Sequence, residues 1–497
     1  MQGPPPSFDW LLRGGILVDG SGTAPRTGDL LIRDGLIAHL GVVNPDTLEV
    51  GRIVEAAGLV VAPGFIDLHA HGDPASTPRF ENFLAMGVTT IVLGQDGSGP
   101  EVADLPGVLA TANGARPGVN VAYMVGHNTL RAEAGVGFEA PSPAGSERMA
   151  SLVAEAMQAG AFGLSLGLEY DPGRRANLDE LVAIAEPVAR WGGIVMSHMR
   201  NEDVDAIEAS LRELLEQGSR SGARVHASHL KIVLGRDPAR ARSLLAILDA
   251  ARQEGLQVTA DVYPYVASFT GLSILFPDWA RPPHDYPAVA AQRRDELAAH
   301  LRGRVEGRGG PAGTLFGSGP WSGRTLAEAA VETGRPFEEL LVDLGPGGAR
   351  AAYFVMDEEV MATFLLDPHV AVASDGSPTM GHPRGYGTFP RVLRRYVLDE
   401  ARLPLEEAIR KMTGLPASIL GLDDPDRAEL LRGRLEEGWA ADVVLLDPEA
   451  IRDRAEYLAP HRLAEGVVWS WVNGEPAWTG DGPAEGPGHG RALRPRR

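Results

Sequence analysis

The sequence predicts an α/β protein with a (β/α)8, TIM-like barrel, a small β-sandwich domain built from both termini, and an inserted helical lid. Three observations lead to this fold class. Apolar strand-like runs alternate with amphipathic segments through the middle of the chain, which is typical of βα units. Both ends of the chain carry short β-like runs separated by turns. Two histidines spaced i, i+2 end the first apolar run of the middle part.

The barrel prediction rests on eight strand-like runs. They lie at 65–71, 88–94, 119–126, 162–169, 193–198, 224–229, 257–263 and 370–375. Segments between them, such as 146–159, 178–191 and 204–219, have apolar residues at i, i+3 and i+4, the spacing of helices that pack on a barrel.

The remaining segments define the predicted domains. The barrel takes residues 63–420, and the small β-sandwich domain takes 1–62 and 421–480. Between the seventh and eighth strands lies a long segment, 267–369, whose helical stretches predict an inserted lid. Residues 481–497 are rich in Gly, Pro and Arg, so we expect a disordered tail.

Composition excludes several classes of function. The chain has 497 residues, of which 44% are hydrophobic, as in an ordinary globular protein. Its net charge of −20 argues against nucleic-acid binding and against an anionic membrane surface. Without cysteine the chain has neither disulfides nor a thiolate metal site. No signal peptide or membrane-length apolar span is evident, so a cytoplasmic protein of undetermined oligomeric state is expected.

The histidine pair predicts a metal site. Residues two apart on a strand point the same way, so His69 and His71 converge at a strand's carboxyl end, where (β/α)8 barrels carry their chemistry. Alone this pair is weak evidence, but later strands end in further candidate ligands: Glu169, His198, His229 and Asp375. Such a set is what a hydrolytic site with one or two metal ions needs. Asp375 would act as general acid/base toward a metal-activated water and the leaving nitrogen.

Longer motifs carry a family resemblance. They are GHNTLR at 126–131, GLEYDPG at 167–173, SHMRNE at 197–202, YPY at 263–265 and HPRGYGTFP at 382–390. These motifs, with the ligand order, resemble the N-acyl-D-amino-acid deacylases (D-aminoacylases) of the amidohydrolase superfamily, and the resemblance covers nearly the whole chain. It implies zinc, one or two ions, and hydrolysis of a linear amide to a carboxylate and a free amino acid. The D configuration is implied by the resemblance alone.

One position departs from the family pattern. Well-known members end the second strand in Gly-x-Cys-Gly, whose cysteine binds metal, whereas residues 94–97 here read GQDG. Asp96 is either a hard-ligand substitute or a turn residue in a glycine-rich loop. Other branches of the superfamily place a metal-bridging group on strand four, so Glu169 is the expected bridge and Asp96 the next candidate. Each ion would then have its own ligands: His69, His71 and Asp375 for one, His198 and His229 for the other.

The predicted substrate is a small molecule with an α-carboxylate. Lys231 lies two residues past His229 and should point into the same mouth. Only Lys231 and Lys411 are lysines, so the lysine here was either selected for its compact charge or retained by chance. The resemblance adds Tyr170 and Arg384, which match positions that bind the substrate carboxylate in the family.

Two other functions stay open at this stage. A dipeptidase, or a hydantoinase-like or dihydroorotase-like hydrolase of cyclic amides, would use the same scaffold and the same metal ligands. A non-catalytic scaffold protein is a third interpretation. The retained set of histidines and Asp375 argues against it, because a protein without chemistry has no need of them.

Overall fold

The computed structural model describes residues 7–495, and a parallel β-barrel forms the centre of this part of the chain. The eight barrel strands within these residues are Phe65–Asp67, Val88–Leu93, Asn120–Gly126, Gly163–Gly167, Ile194–His198, Arg224–Ala227, Val258–Val262 and Val370–Val372. Neighbours in the sheet follow the order of the chain, and we number the strands one to eight. The α/β barrel prediction is confirmed.

The barrel closes at the residues beyond strands one and eight. Ala70 forms a parallel bridge with Gly376. The His71 N–H donates to the Gly376 carbonyl at 2.7 Å, and the Asp375 N–H donates to the His69 carbonyl at 2.8 Å. The backbone that seals the barrel therefore also carries three of the predicted metal ligands.

Helices cover the outside of the barrel. They are Glu81–Ala85, Leu105–Ala115, His127–Glu133, Pro143–Ala159, Leu178–Arg190, Ile207–Ser221, Pro238–Gln253, Arg384–Arg391, Leu405–Met412 and Gly414–Leu420, with a π-helical segment at Val392–Asp399. Pro143–Ala159 shows why they form. The Ser142 hydroxyl caps its first turn, Pro143 begins it, and Gly160 ends it in the left-handed conformation that glycine adopts readily. Among the described helices, none combines the length and apolar character needed to cross a membrane.

Strands from both chain ends form a second sheet, as predicted. Within the described residues it has nine strands: Ser7–Leu17, Arg26–Arg33, Leu36–Gly41, Glu49–Glu55, Val60–Pro63, Val443–Leu446, Val467–Val472, Glu475–Thr479 and Gly482–Pro483. Val60–Pro63 pairs antiparallel with Val443–Leu446 and so joins the two termini. Trp10 packs edge-on against the buried Trp471 with ring centres 5.6 Å apart, in an apolar core of this sheet's own.

A buried ion pair fastens this sheet to the barrel. One oxygen of Asp442 accepts hydrogen bonds from Arg432 Nε at 2.9 Å and from Asn120 Nδ2 at 3.0 Å. Its other oxygen accepts from the Asn473 N–H at 2.6 Å. Arg432 and Asn120 are fully buried, and Asn120 begins barrel strand three. The Asp442 carboxylate thus satisfies groups from both parts of the fold.

We expect Asp442→Ala to lower the free energy of unfolding by about 3–5 kcal/mol, because it leaves the buried Arg432 guanidinium without its counter-charge. Urea unfolding followed by tryptophan fluorescence measures the change. Asp46→Ala, at an exposed carboxylate in the 3-10 turn Pro45–Thr47, is the matched control and should change stability by less than about 0.5 kcal/mol. Equal stability of the two variants would contradict the anchoring role of Asp442.

The inserted segment lies between barrel strands seven and eight. Its α-helices are Tyr286–Gln292, Arg294–Glu306, Leu326–Thr333, Phe337–Leu344 and Glu358–Leu365. It also contains a three-stranded antiparallel sheet, which the sequence analysis did not predict, formed by Ser268–Gly271, Thr314–Phe316 and Arg350–Tyr353. These strands have only three or four residues and pair across long sequence separations, so local patterns carry little signal for them.

The described part of the tail, for which disorder is predicted over 481–497, makes backbone contacts with the barrel. The Val121 N–H donates to the Arg491 carbonyl at 2.9 Å, and the buried Leu493 donates back to the Val121 carbonyl at 2.8 Å. The glycines that suggested disorder permit this packing, since a Cβ at Gly490 would lie 2.0 Å from the Val119 carbonyl oxygen. Residues 1–6 of the predicted β-sandwich domain and residues 496–497 of the predicted tail lie outside the described residues.

Candidate metal centre

The predicted ligands meet at the carboxyl end of the barrel. His198 ends barrel strand five, and the others lie just beyond strands one, two, four, six and eight. Three groups of metal-binding atoms form among the described residues: His69, His71, Asp96 and Asp375; Asp96, His198 and His229; and Glu169, His198 and Glu202. Residues that are distant in the chain therefore come together as the strand-end pattern predicts.

The first group contains the histidine pair and two carboxylates. His71 Nε2 lies 3.2 Å from Asp375 Oδ1 and 3.5 Å from Asp96 Oδ2. His69 Nε2 lies 3.3 Å from Asp96 Oδ1 and 3.8 Å from Asp375 Oδ1. Both imidazoles thus present the same ring nitrogen to the same two carboxylates.

The second group adds the histidines of strands five and six. His198 Nδ1 lies 2.9 Å from His229 Nε2. Asp96 Oδ1 lies 3.6 Å from this His198 nitrogen and 3.4 Å from the His229 nitrogen. Two ring nitrogens and one carboxylate oxygen therefore enclose a second point next to the first group.

Asp96, and not Glu169, occupies the place between the two groups. Asp96 belongs to both, with Oδ1 near His69, His198 and His229. Glu169 instead contacts Nε2 on the opposite side of the His198 ring, at 3.1 Å. The expectation that Glu169 bridges two ions does not match this geometry, because its carboxylate reaches only the ring nitrogen that faces away from the other histidines.

Three of the candidate ligands have a backbone conformation that is rare for residues other than glycine. Asp96, His229 and Asp375 have φ angles of 56°, 38° and 49°, in the left-handed region that favours glycine. Such conformations cost free energy and are concentrated at functional sites, where the surrounding structure holds them in place. Each turn directs a candidate ligand back over the mouth of the barrel.

A metal ion fits this donor set. His69 is fully buried, and within residues 7–495 neither of its ring nitrogens has a hydrogen-bond partner. His229 Nδ1 lies 3.2 Å from Glu202 Oε1 and 2.8 Å from Lys231 Nζ, so these groups hold the outer nitrogen of the ring while Nε2 faces the cluster, where it could bind a metal. Nitrogen and carboxylate oxygen are suitable ligands for zinc and for harder divalent ions.

The carboxylates dominate the electrostatics of the site. Burial lowers the pKa of His198, but Glu202 and Asp96 oppose this and raise it to about 10. Burial raises the pKa of Asp375, whereas Arg384 and His69 together hold it below its ordinary value. These carboxylates therefore remain ionised, and the cluster favours a bound cation.

The predicted substrate residues line one cavity with this cluster. Arg384 Nη2 lies 2.8 Å from Asp375 Oδ2, and its Nε donates to the Asp375 carbonyl at 2.7 Å. The Lys231 ammonium is held by both oxygens of Glu202, at 2.7 and 2.8 Å. Tyr170 packs on the His198 ring with ring centres 4.6 Å apart. The side chains of Arg384 and Lys231 lie at the mouth of the barrel as predicted, and each is paired with a carboxylate there.

Two supporting carboxylates were missed in the sequence. Glu202 contacts both Lys231 and the outer nitrogen of His229. Asp261 accepts the His229 N–H at 2.7 Å and pairs with His226 Nε2 at 2.7 Å. A charged residue within the apolar run of barrel strand seven was the available signal for Asp261. Glu202 lies in a loop four residues after His198 and is the last residue of the SHMRNE motif, to which the sequence analysis assigned no separate role.

Comparisons with known proteins agree with this geometry. A model of the amidohydrolase family matches residues 324–477. An N-acyl-D-glutamate deacylase of Alcaligenes xylosoxydans xylosoxydans is 34% identical over 98% of this chain and 96% of its own length. A D-aminoacylase of the same organism is 35% identical over 95% of this chain and 94% of its own.

A solved structure extends the likeness to three dimensions. The N-acyl-D-glutamate deacylase of Bordetella bronchiseptica, determined with zinc and a phosphonate mimic of the tetrahedral intermediate, superposes with a TM-score of 0.83. It is 32% identical and covers 98% of this chain and 100% of its own. Sequence, fold and the clustered histidines thus agree, and the chain belongs to the N-acyl-D-amino-acid deacylase (D-aminoacylase) family of metal-dependent amidohydrolases.

Proposed function

We propose that this protein is a zinc-dependent deacylase that hydrolyses N-acyl-D-amino acids to a carboxylate and a free D-amino acid. The observation that carries the proposal is the cluster of four histidines and two aspartates beside Arg384, in a chain that aligns end to end with deacylases. Relatives described as acting on N-acyl-D-glutamate and N-acyl-D-aspartate support the substrate class and the D configuration.

The proposed metal ligands are His69, His71, Asp96, His198, His229 and Asp375. Zinc is supported by the zinc-containing relative and by the mixture of imidazole and carboxylate donors. When bound, the metal supplies Lewis acidity and lowers the pKa of water to about 7. Whether one or two ions bind depends on Asp96, which is near both groups of histidines.

Asp375 is the proposed general acid/base. Its Oδ1 faces His71 at 3.2 Å, and its Oδ2 pairs with Arg384 at 2.8 Å. The lowered pKa keeps this carboxylate ionised and ready to accept a proton from the attacking water. The protonated Asp375 carboxyl then returns this proton to the leaving nitrogen, so that the amine departs as a neutral group.

The substrate α-carboxylate is assigned to Arg384, with Tyr170 and Lys231 beside it. Arg384 is buried, and its guanidinium lies 4.7 Å over the Tyr263 ring, so its position is fixed before substrate binds. A planar guanidinium binds a carboxylate through two parallel hydrogen bonds. Lys231, already engaged by Glu202, contributes positive charge at the same wall.

A substrate panel tests the proposal. The zinc-loaded protein is incubated with N-acetyl-D-amino acids, their L enantiomers, a dipeptide, a hydantoin and dihydroorotate, and free amine or ring opening is measured. We expect release from the D series alone, lost after chelation and restored by zinc. Ring opening, or dipeptide cleavage without deacylation, would replace this proposal by one of the alternatives.

Replacing Arg384 with methionine should raise KM for N-acetyl-D-amino acids by about 10- to 150-fold, the range expected for a charge-assisted hydrogen bond. The control substrate is the corresponding N-acetyl-D-amino-acid amide, which keeps the acyl group but lacks the α-carboxylate. Its KM should stay unchanged, while kcat falls for both substrates because Arg384 also pairs with Asp375. An equal rise in KM for acid and amide would contradict the assignment of Arg384 to the α-carboxylate.

A further inference from the structure

One cavity is lined both by the ligand cluster and by the inserted segment. The barrel side contributes Asp96, His229 and Asp375, and the inserted segment contributes Ile274 and Arg308. A substrate whose amide lies at the metal ligands therefore extends its remaining groups toward residues of the insertion.

Three lysine or arginine side chains line this cavity within the described residues: Lys231, Arg308 and Arg384. Lys231 has its own carboxylate in Glu202, and Arg384 has its own in Asp375. Both pairs lie beside the metal ligands. Arg308 comes from the insertion, just after helix Arg294–Glu306, and belongs to a different arrangement.

Arg308 shares its carboxylate with a second arginine. Its Nη1 lies 2.7 Å from Asp203 Oδ1, and Arg304 Nη1 lies 3.2 Å from Asp203 Oδ2. Two guanidinium groups thus share one carboxylate. Arg308 is only 5% exposed, and its Nε has no hydrogen-bond partner in residues 7–495.

A buried guanidinium that shares its carboxylate and keeps an unused donor is costly unless a partner completes it. Val233 and Ile274 line the same cavity as Arg308 and contribute aliphatic surface to it. Aliphatic surface and an arginine in one cavity suit a short methylene chain that ends in a carboxylate. An uncharged apolar side chain would leave the unused donor of Arg308 without a partner.

We propose that Arg308 binds the side-chain carboxylate of the substrate, so that the preferred substrates are N-acyl derivatives of acidic amino acids. The inference rests on the proposed deacylase function and adds its side-chain specificity. The two carboxylates of the substrate then have separate partners, Arg384 for the α-carboxylate and Arg308 for the side chain. Arg308 touches the substrate and takes no part in bond cleavage.

The test compares kcat/KM for N-acetyl-D-glutamate, N-acetyl-D-aspartate and N-acetyl-D-methionine. The wild-type protein should favour the two acidic substrates. In Arg308→Met their kcat/KM should fall by about 10- to 150-fold, while the value for N-acetyl-D-methionine stays within about twofold. Arg308→Lys keeps the charge without the planar fork, and should retain part of the preference for acidic substrates.

Arg304→Met is the matched control. It removes the other partner of Asp203, but Arg304 is not among the residues that line the cavity. We expect this variant to keep the preference for acidic substrates. Melting temperatures of all variants, and titration of the products D-glutamate and D-methionine, separate loss of binding from loss of folding. D-glutamate should bind wild-type protein more tightly than Arg308→Met.

Distinct outcomes overturn the inference and the function on which it rests. If wild-type protein cleaves N-acetyl-D-methionine as well as the acidic substrates, or if Arg308→Met loses both equally, the assignment of Arg308 is wrong and the deacylase function stands. If the zinc-loaded protein cleaves none of the N-acyl-D-amino acids, the proposed function itself fails.

Discussion

Asp375→Asn should lower kcat for N-acyl-D-amino acids by about 10²- to 10⁴-fold, the usual contribution of general acid–base catalysis. Asparagine keeps the size of the side chain and one carbonyl oxygen, so zinc content should stay near that of the wild type. The amide nitrogen, however, accepts no proton from water. Steady-state kinetics, with metal analysis of the same samples, measure both quantities.

Asp73→Asn is the control for this variant. Asp73 is an exposed carboxylate two residues beyond His71, and its neutralisation should leave kcat unchanged. Near-normal turnover by Asp375→Asn with full zinc content would assign proton transfer to another group. A parallel loss of zinc and turnover would contradict the expected retention of zinc and show that the Asp375 carboxylate is required to hold the metal.

Asp96→Ala should abolish turnover and reduce zinc to well below the wild-type content. Asp96 faces ring nitrogens of all four histidines, with atom pairs 3.3–3.6 Å apart, so its removal takes a carboxylate from both groups. Glu169→Gln is the matched comparison, since Glu169 contacts the far nitrogen of His198 and belongs to neither of the two groups that contain Asp96. Metal content after dialysis against a weak chelator measures the difference between the two variants.

Asp96→Cys provides the chemical counterpart of that test. It restores the cysteine that well-known family members carry at this position, and thiolate favours softer ions than carboxylate does. We expect Asp96→Cys to retain zinc and to shift the preference away from manganese. If Asp96→Ala keeps full zinc content while Glu169→Gln loses it, the roles assigned to these two carboxylates are reversed.

The sequence predicted the positions of the ligands better than the directions of their side chains. The strand-end histidines lie together because parallel strands bring their carboxyl ends to one mouth, a consequence of topology. The choice between Asp96 and Glu169 depended on local conformation, which spacing does not determine. Asp96 turns inward at a φ of 56°, whereas Glu169 points to the outer side of His198.

The support around the ligands was harder to predict. Asp203 and Arg308 are separated by more than a hundred residues of chain and meet only because the insertion folds back over the mouth. The same holds for the insertion's short strands, which pair across the segment and not locally. At the tail, composition does not indicate the close backbone packing that Gly490 permits against Val119.

The most direct test of the metal centre is an anomalous difference map, recorded at the zinc absorption edge, from crystals of the zinc-loaded protein. We predict anomalous density enclosed by His69, His71, His198 and His229, with the Asp96 carboxylate in contact with it. Asp96 turned away from the density, or zinc density absent from this mouth of the barrel, would contradict the proposed centre and the hydrolytic function derived from it.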